Sequence, residues 1–153
     1  MTEQDAFLGA LALAFVLSGC SHRDKDQARP SWAAPRLLIH VDRDVKPDTA
    51  LKLVKVTEQQ AVWIEGYTWR QLPWLEFHWR TGKVCRNNSG CAWSKDGPVE
   101  AWVGAPDVAA HEFFHVYLWN ARGDPDRAHE DARWRRVDRE GWLIVQDWER
   151  DHG

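Results

Sequence analysis

A chain of 153 residues holds one domain with a real core and is too short for two of ordinary size. Its 44% hydrophobic and 28% charged residues exclude both a disordered polyelectrolyte and a chain made mostly of membrane spans. A formal net charge of -3 gives no electrostatic reason to expect a nucleic-acid partner.

At the amino terminus, Ala6 to Leu17 (AFLGALALAFVL) is an unbroken apolar run. It has the length of an export-signal core and is too short to span a bilayer as a helix. Ser18 and Gly19 lead directly into Cys20. The order Leu17-Ser18-Gly19-Cys20 resembles the lipobox of bacterial lipoproteins. That resemblance implies a signal peptide over 1–19, cleavage before Cys20 and acylation of its thiol. Met1 to Asp5 departs from the usual signal in carrying two acids and no Lys or Arg. Losing Glu3 and Asp5 with that segment brings the acids from 23 to 21, against 20 basic residues. The lipid anchor would hold the exported protein at the bacterial cell envelope, at the outer membrane or facing the periplasm, because two or more acyl chains bind a bilayer firmly where one is marginal. Residues 20–35, with their polar SHRDKDQARPSWAAP stretch, read as a tether, which leaves 36–153 as the folded domain.

From Arg36 to Arg80 the pattern favours strands. RLLIHVDRD, ALKLVKVT (50–57), AVWIEGYTW (61–69) and LEFHWR each alternate in polarity and are rich in β-branched or aromatic residues. Pro47, Gly66 and Pro73 fall between these runs or near their ends. His78, within LEFHWR, is a weak candidate donor to an oxyanion and more commonly a structural residue. Cys85 and Cys91 flank RNNSG, a turn-rich loop, and an exported location predicts a disulfide between them. A loop this short limits its contribution to on the order of 2 kcal/mol. Pro98 to Gly104 reads as a further strand, expected at an edge.

Pro106-Asp107 offers a cap for a helix running to Arg122, where Gly123 supplies the stop. Asp124-Pro125 then predicts a second helix reaching about Glu149. Strands first and helices last indicate an α+β domain, with antiparallel strands in the N-terminal half followed by an active-site helix and a C-terminal helix. The many charges of the second helix read as a solvated face. The 11 tryptophans are expected either in the core or along a groove, since each brings a large apolar area and one N–H that needs a partner.

The chemistry is concentrated in His111-Glu112-Phe113-Phe114-His115. Histidines four apart on a helix share a face, so His111 and His115 can bind one metal ion. Glu112 is placed beside that ion rather than on it, where it can act as a base toward a zinc-activated water. A catalytic zinc wants a third protein ligand. His129, fourteen residues after His115 and past the Gly123-Asp124-Pro125 turn, is the first candidate, with Glu130 and Asp131 as alternatives. Tyr117, at helical spacing from Phe113 and Phe114, reads as packing.

Here the chain resembles the zincin metallopeptidases, in particular compact ones whose third ligand opens the helix after the His-Glu-x-x-His helix. The resemblance spans about Val99 to Trp134. The segment VYLWNARG after His115 lacks the Gly and third His that mark metzincins. The resemblance implies a Zn2+ cofactor and hydrolysis of peptide or amide bonds in a peptide, protein or cell-wall peptide. It also implies that the strand Glu100 to Gly104 pairs with extended substrate, with Trp93 and Trp102 shaping subsites. Two other readings stay open: a non-catalytic zinc-binding lipoprotein, and a Trp-rich binding module of the envelope.

Overall fold

The computed structural model describes residues 36–153. The expected signal segment, Cys20 and the tether lie outside the described residues. Seven elements follow one another: β1 (Leu37–Val41), α1 (Pro47–Thr68), β2 (Leu75–Arg80), β3 (Gly90–Ala92), β4 (Val99–Trp102), α2 (Val108–Arg122) and α3 (Trp134–His152). The domain is α+β. Among the described residues no helix is long and apolar enough to cross a membrane.

The two segments expected as strands over 50–57 and 61–69 are one helix, α1. Its buried residues are Leu53, Val56, Thr57, Gln60, Ala61, Ile64 and Glu65, a three-and-one spacing that only a helix places on a single face. Pro47 sits in its first turn, and Trp69 ends it in a left-handed conformation at φ 52. The alternation in LKLVKV fits either period over six residues. The longer stripe decides for the helix.

A helix between β1 and β2 changes the sheet as well, because such a crossover returns the chain in the same direction. β1 therefore pairs with β2 in parallel, in register from Leu37↔Leu75 to Val41↔Trp79. β2 is also parallel to β4, and only β3 runs antiparallel, against β4. The order is β1-β2-β4-β3, a mixed sheet rather than the antiparallel one expected. β4 is interior, so the edge strand beside the helical layer is β3.

Alternation along β2 divides the two faces. Leu75, Phe77 and Trp79 are fully buried. The Trp79 indole N–H donates to Thr57 Oγ1 on α1 at 2.9 Å, and Phe77 packs on Phe113 of α2 with ring centroids 5.3 Å apart. Each buried Phe contributes roughly 2–3 kcal/mol through the apolar surface it removes from water. The other sheet face carries polar residues, including Glu76, His78 and Glu100.

The start of α2 is held from outside. Asp107, in the cap position, makes no side-chain cap hydrogen bond. Instead the buried Gln60 of α1 accepts from the Ala110 N–H at 2.7 Å and donates to the Pro106 carbonyl at 2.8 Å, satisfying groups that a helix end leaves open. Gly141 of α3 crosses here so closely that a Cβ would stand 2.5 Å from the Asp107 carbonyl oxygen.

The second C-terminal helix begins at Trp134, not at Pro125. Asp124 accepts from the Asp126 N–H at 2.8 Å, and both Asp126 and His129 adopt left-handed backbone, at φ 54 and 56. A right-handed helix cannot run through such residues. Residues 123–133 form a structured loop.

Candidate metal centre

Helix α2 presents His111 and His115 one turn apart, and the 123–133 loop brings His129 against them. The His115 Nε2 atom lies 3.2 Å from the Nε2 of His111 and 3.2 Å from that of His129. The three donor atoms all fall within 4.8 Å of one another. This group could hold a metal ion. It is His129 that joins the pair. Asp131 is turned away, accepting from the Arg133 guanidinium at 2.8 Å and from Arg122 at 3.3 Å, and Glu130 is exposed.

The tautomers of two histidines follow from their neighbours. His115 Nδ1 is 2.6 Å from the Pro125 carbonyl, which can only accept, so the proton sits on Nδ1 and the Nε2 lone pair faces the centre. His111 Nδ1 is 2.8 Å from Asp138 Oδ1, a carboxylate of α3, with the same result. Two lone pairs 3.2 Å apart do not hydrogen-bond; they converge as ligands do. Burial pushes the His115 pKa down to about 4, despite the Pro125 carbonyl pulling it up. Burial and the charge of His111 lower His129 as well. Both shifts favour the neutral, metal-ligating form of His115 and His129.

Trp134 forms the floor, its ring centroid 4.6, 4.5 and 4.6 Å from those of His111, His115 and His129. Its N–H donates to Asp126 Oδ2 at 2.6 Å. The same buried carboxylate accepts the Glu130 and Asp131 N–H groups at 3.0 and 2.8 Å, fixing the loop that carries His129.

Glu112 enters the centre from beneath β3. It is only 4% exposed, and a Cβ on Gly90 would stand 2.5 Å from its Oε1. Glycine in the edge strand is what lets the carboxylate occupy that space. Burial pushes its pKa up to about 7, against the opposing pull of His111, the Ala92 amide and Arg127. A cleft of about 770 Å³ joins these groups, with Glu112 and the three histidines on one side and β3, Trp93 and the Cys85–Cys91 loop on the other. Cys85 and Cys91 form a disulfide, with Cα atoms 6.0 Å apart. Arg127 also lines the cleft and donates to the Ala92 carbonyl at 3.3 Å.

A scan of protein-family models, a search of curated proteins and a search of solved structures each returned no match.

Other expectations fall differently. His78 faces the opposite side of the sheet, stacked on His40. Trp102 does not line the cleft, and Lys83 lies over its ring. Tyr117 packs against the core, and its hydroxyl accepts from Arg133 at 3.3 Å. Asp138, Asp126, Trp134 and Gly90 shape the candidate centre and were not singled out by the sequence alone. An acid facing the His111 side of α2 was the available signal for Asp138, but it sits among many charges on α3.

Proposed function

We propose that the chain is a zinc-dependent hydrolase of peptide or amide bonds, with His111, His115 and His129 as ligands and Glu112 as general base. One observation carries the reading: three imidazole nitrogens converge beside a buried carboxylate in a cleft large enough for a peptide. Ligands about 2.0–2.1 Å from a tetrahedral zinc stand roughly 3.3 Å apart, and the two short Nε2 separations of 3.2 Å fit that spacing. Three nitrogen ligands leave a position open, as a catalytic zinc needs. Bound there, zinc would acidify a coordinated water and polarise a substrate carbonyl.

The chain's own residues supply the rest. Glu112, held near the operating pH range, accepts a proton from the attacking water and returns it to the leaving amine. Asp138 and the Pro125 carbonyl keep two imidazoles in the tautomer and orientation that ligation demands. Arg127 sets a cation at the cleft wall, where it can meet a substrate carbonyl or carboxylate. The free edge of β3 offers backbone groups to an extended peptide, with Trp93 beside it. These features agree with the resemblance to compact zincins. The sequence features of an export signal and lipobox place the enzyme, in this reading, on the bacterial envelope, acting on a protein or cell-wall peptide.

Glu112→Gln tests the proposal. Zinc content should persist, while kcat for cleavage of a peptide library should fall by about 10²–10⁴-fold, the usual range for loss of a general base. Unchanged turnover would refute the assignment. Zinc retained by both forms, with neither cleaving any peptide, would favour a non-catalytic zinc lipoprotein.

A further inference from the structure

The face of the sheet turned away from the cleft holds a second convergence of donors. His40 on β1 and His78 on β2 are register partners in the parallel ladder, so the pleat sends both side chains out on the same side. Their rings stack with centroids 4.4 Å apart and planes 7° from parallel. Glu76, two residues before His78 on the same face, points one carboxylate oxygen at both: Oε2 is 3.3 Å from His78 Nε2 and 3.9 Å from His40 Nε2. All three donor atoms lie within 4.8 Å of one another.

Charge on this face points the same way. Arg80, the basic residue on β2, is already matched by Glu100 at 2.8 Å and Asp42 at 3.4 Å. Glu76 has no Lys or Arg partner among the described residues. Two imidazoles and a carboxylate without a Lys or Arg partner form a nitrogen-and-oxygen donor set, the type suited to a borderline divalent ion such as Zn2+. Neither histidine nor Glu76 lines the cleft.

We infer that His40, His78 and Glu76 form a second divalent-metal site, which clamps edge strand β1 to β2. Its ligands stand on two strands, so an ion bound there stabilises the folded sheet in proportion to its occupancy. His40 and Glu76 are nearly half exposed. Among the described residues the hydrogen bond on these rings runs to Glu76, itself a member of the donor set, whereas the cleft imidazoles are braced from behind. The affinity here is therefore lower than that of the cleft site. This inference does not depend on the hydrolase reading.

The test is equilibrium dialysis of the untagged full chain, stripped with chelator, against Zn2+ alone at neutral pH. Three forms are compared: wild type, His40→Ala/His78→Ala, and His111→Ala/His115→Ala. Wild type should bind two ions of unequal affinity. The outer-face variant should lose the weaker ion alone, and the cleft variant should keep it. Because the outer ion is counted in the cleft variant, failure of the hydrolase reading leaves the result legible. Glu76→Gln, a substitution on an exposed face, should weaken the outer ion by at least the roughly tenfold that loss of a supporting partner costs, with the circular dichroism spectrum unchanged. No ion in His111→Ala/His115→Ala, or two ions of unchanged affinity in His40→Ala/His78→Ala, would overturn the inference.

Discussion

The two histidine clusters are built from similar donors by opposite means. In the cleft, helical periodicity sets His111 and His115 one turn apart. Partners behind them then do the orienting: a carbonyl, the Asp138 carboxylate and the Trp134 ring shared by all three imidazoles. On the outer face, sheet register brings His40 and His78 together, and only stacking and one glutamate orient them. The difference teaches that ligand spacing and ligand preorganisation come from separate parts of the sequence. Spacing is local, whereas the bracing groups arrive from the loop and from α3.

If bracing is what separates the clusters, removing it should hurt the inner one most. Trp134→Ala empties the floor, and loss of a large buried aromatic costs about 3–5 kcal/mol. Thermal unfolding of the metal-free protein should show that loss, and zinc affinity should fall with it. A variant as stable as wild type would mean that the floor is not structural. Asp138→Asn keeps the shape but weakens the acceptor behind His111. Zinc affinity should drop roughly 10–100-fold, with little change in metal-free stability, and an unchanged affinity would reduce Asp138 to a surface ion pair.

The smallest effect concerns a second buried glutamate on the cleft side of the sheet. Glu65 is fully buried, and its Oε1 accepts the Leu72 N–H at 2.9 Å. Its Oε2 has no hydrogen-bond partner among the described residues. Burial raises its pKa, against the Leu72 hydrogen bond and the charge of Arg36. A carboxyl with a raised folded pKa contributes stability that is complete below the unfolded value of 4.5 and is lost as pH rises through the folded value. Glu65→Gln removes that loss. It should raise Tm near neutral pH by on the order of 1 kcal/mol, roughly 3–5 °C in a domain of this size, and have little effect in acid below the unfolded value. A gain independent of pH would show that packing, not ionisation, limits stability there.

How much of this was legible in the sequence follows the same division. His111, Glu112 and His115 could be read because their spacing is a property of one helix, and Gly123 ends that helix where expected, at φ 76. The Cys85–Cys91 pair and the α+β class could be read for similar reasons. α1 could not be read, since its six-residue alternation and β-branched content imitate a strand until the whole buried stripe is laid out. That error carried into the sheet, because strand direction depends on what joins β1 to β2. His129 was one of three adjacent candidates, and what selects it is the left-handed turn at Asp126, which no periodic pattern announces. Gly90 looked like an ordinary turn residue, and its role in leaving room for Glu112 depends on contact with a side chain on another element, α2.

Gln60 closes the account of how these parts depend on one another. The helix that carries the proposed ligands borrows the fastening of its first turn from α1, half the domain earlier in the chain. A fragment containing only the His-Glu-x-x-His helix and its loop would lack that fastening, and would have to bear the ordering cost of both segments before it gripped an ion. The proposed metal recognition is thus a property of the assembled domain, and a transplanted motif would inherit the letters of the site without its grip.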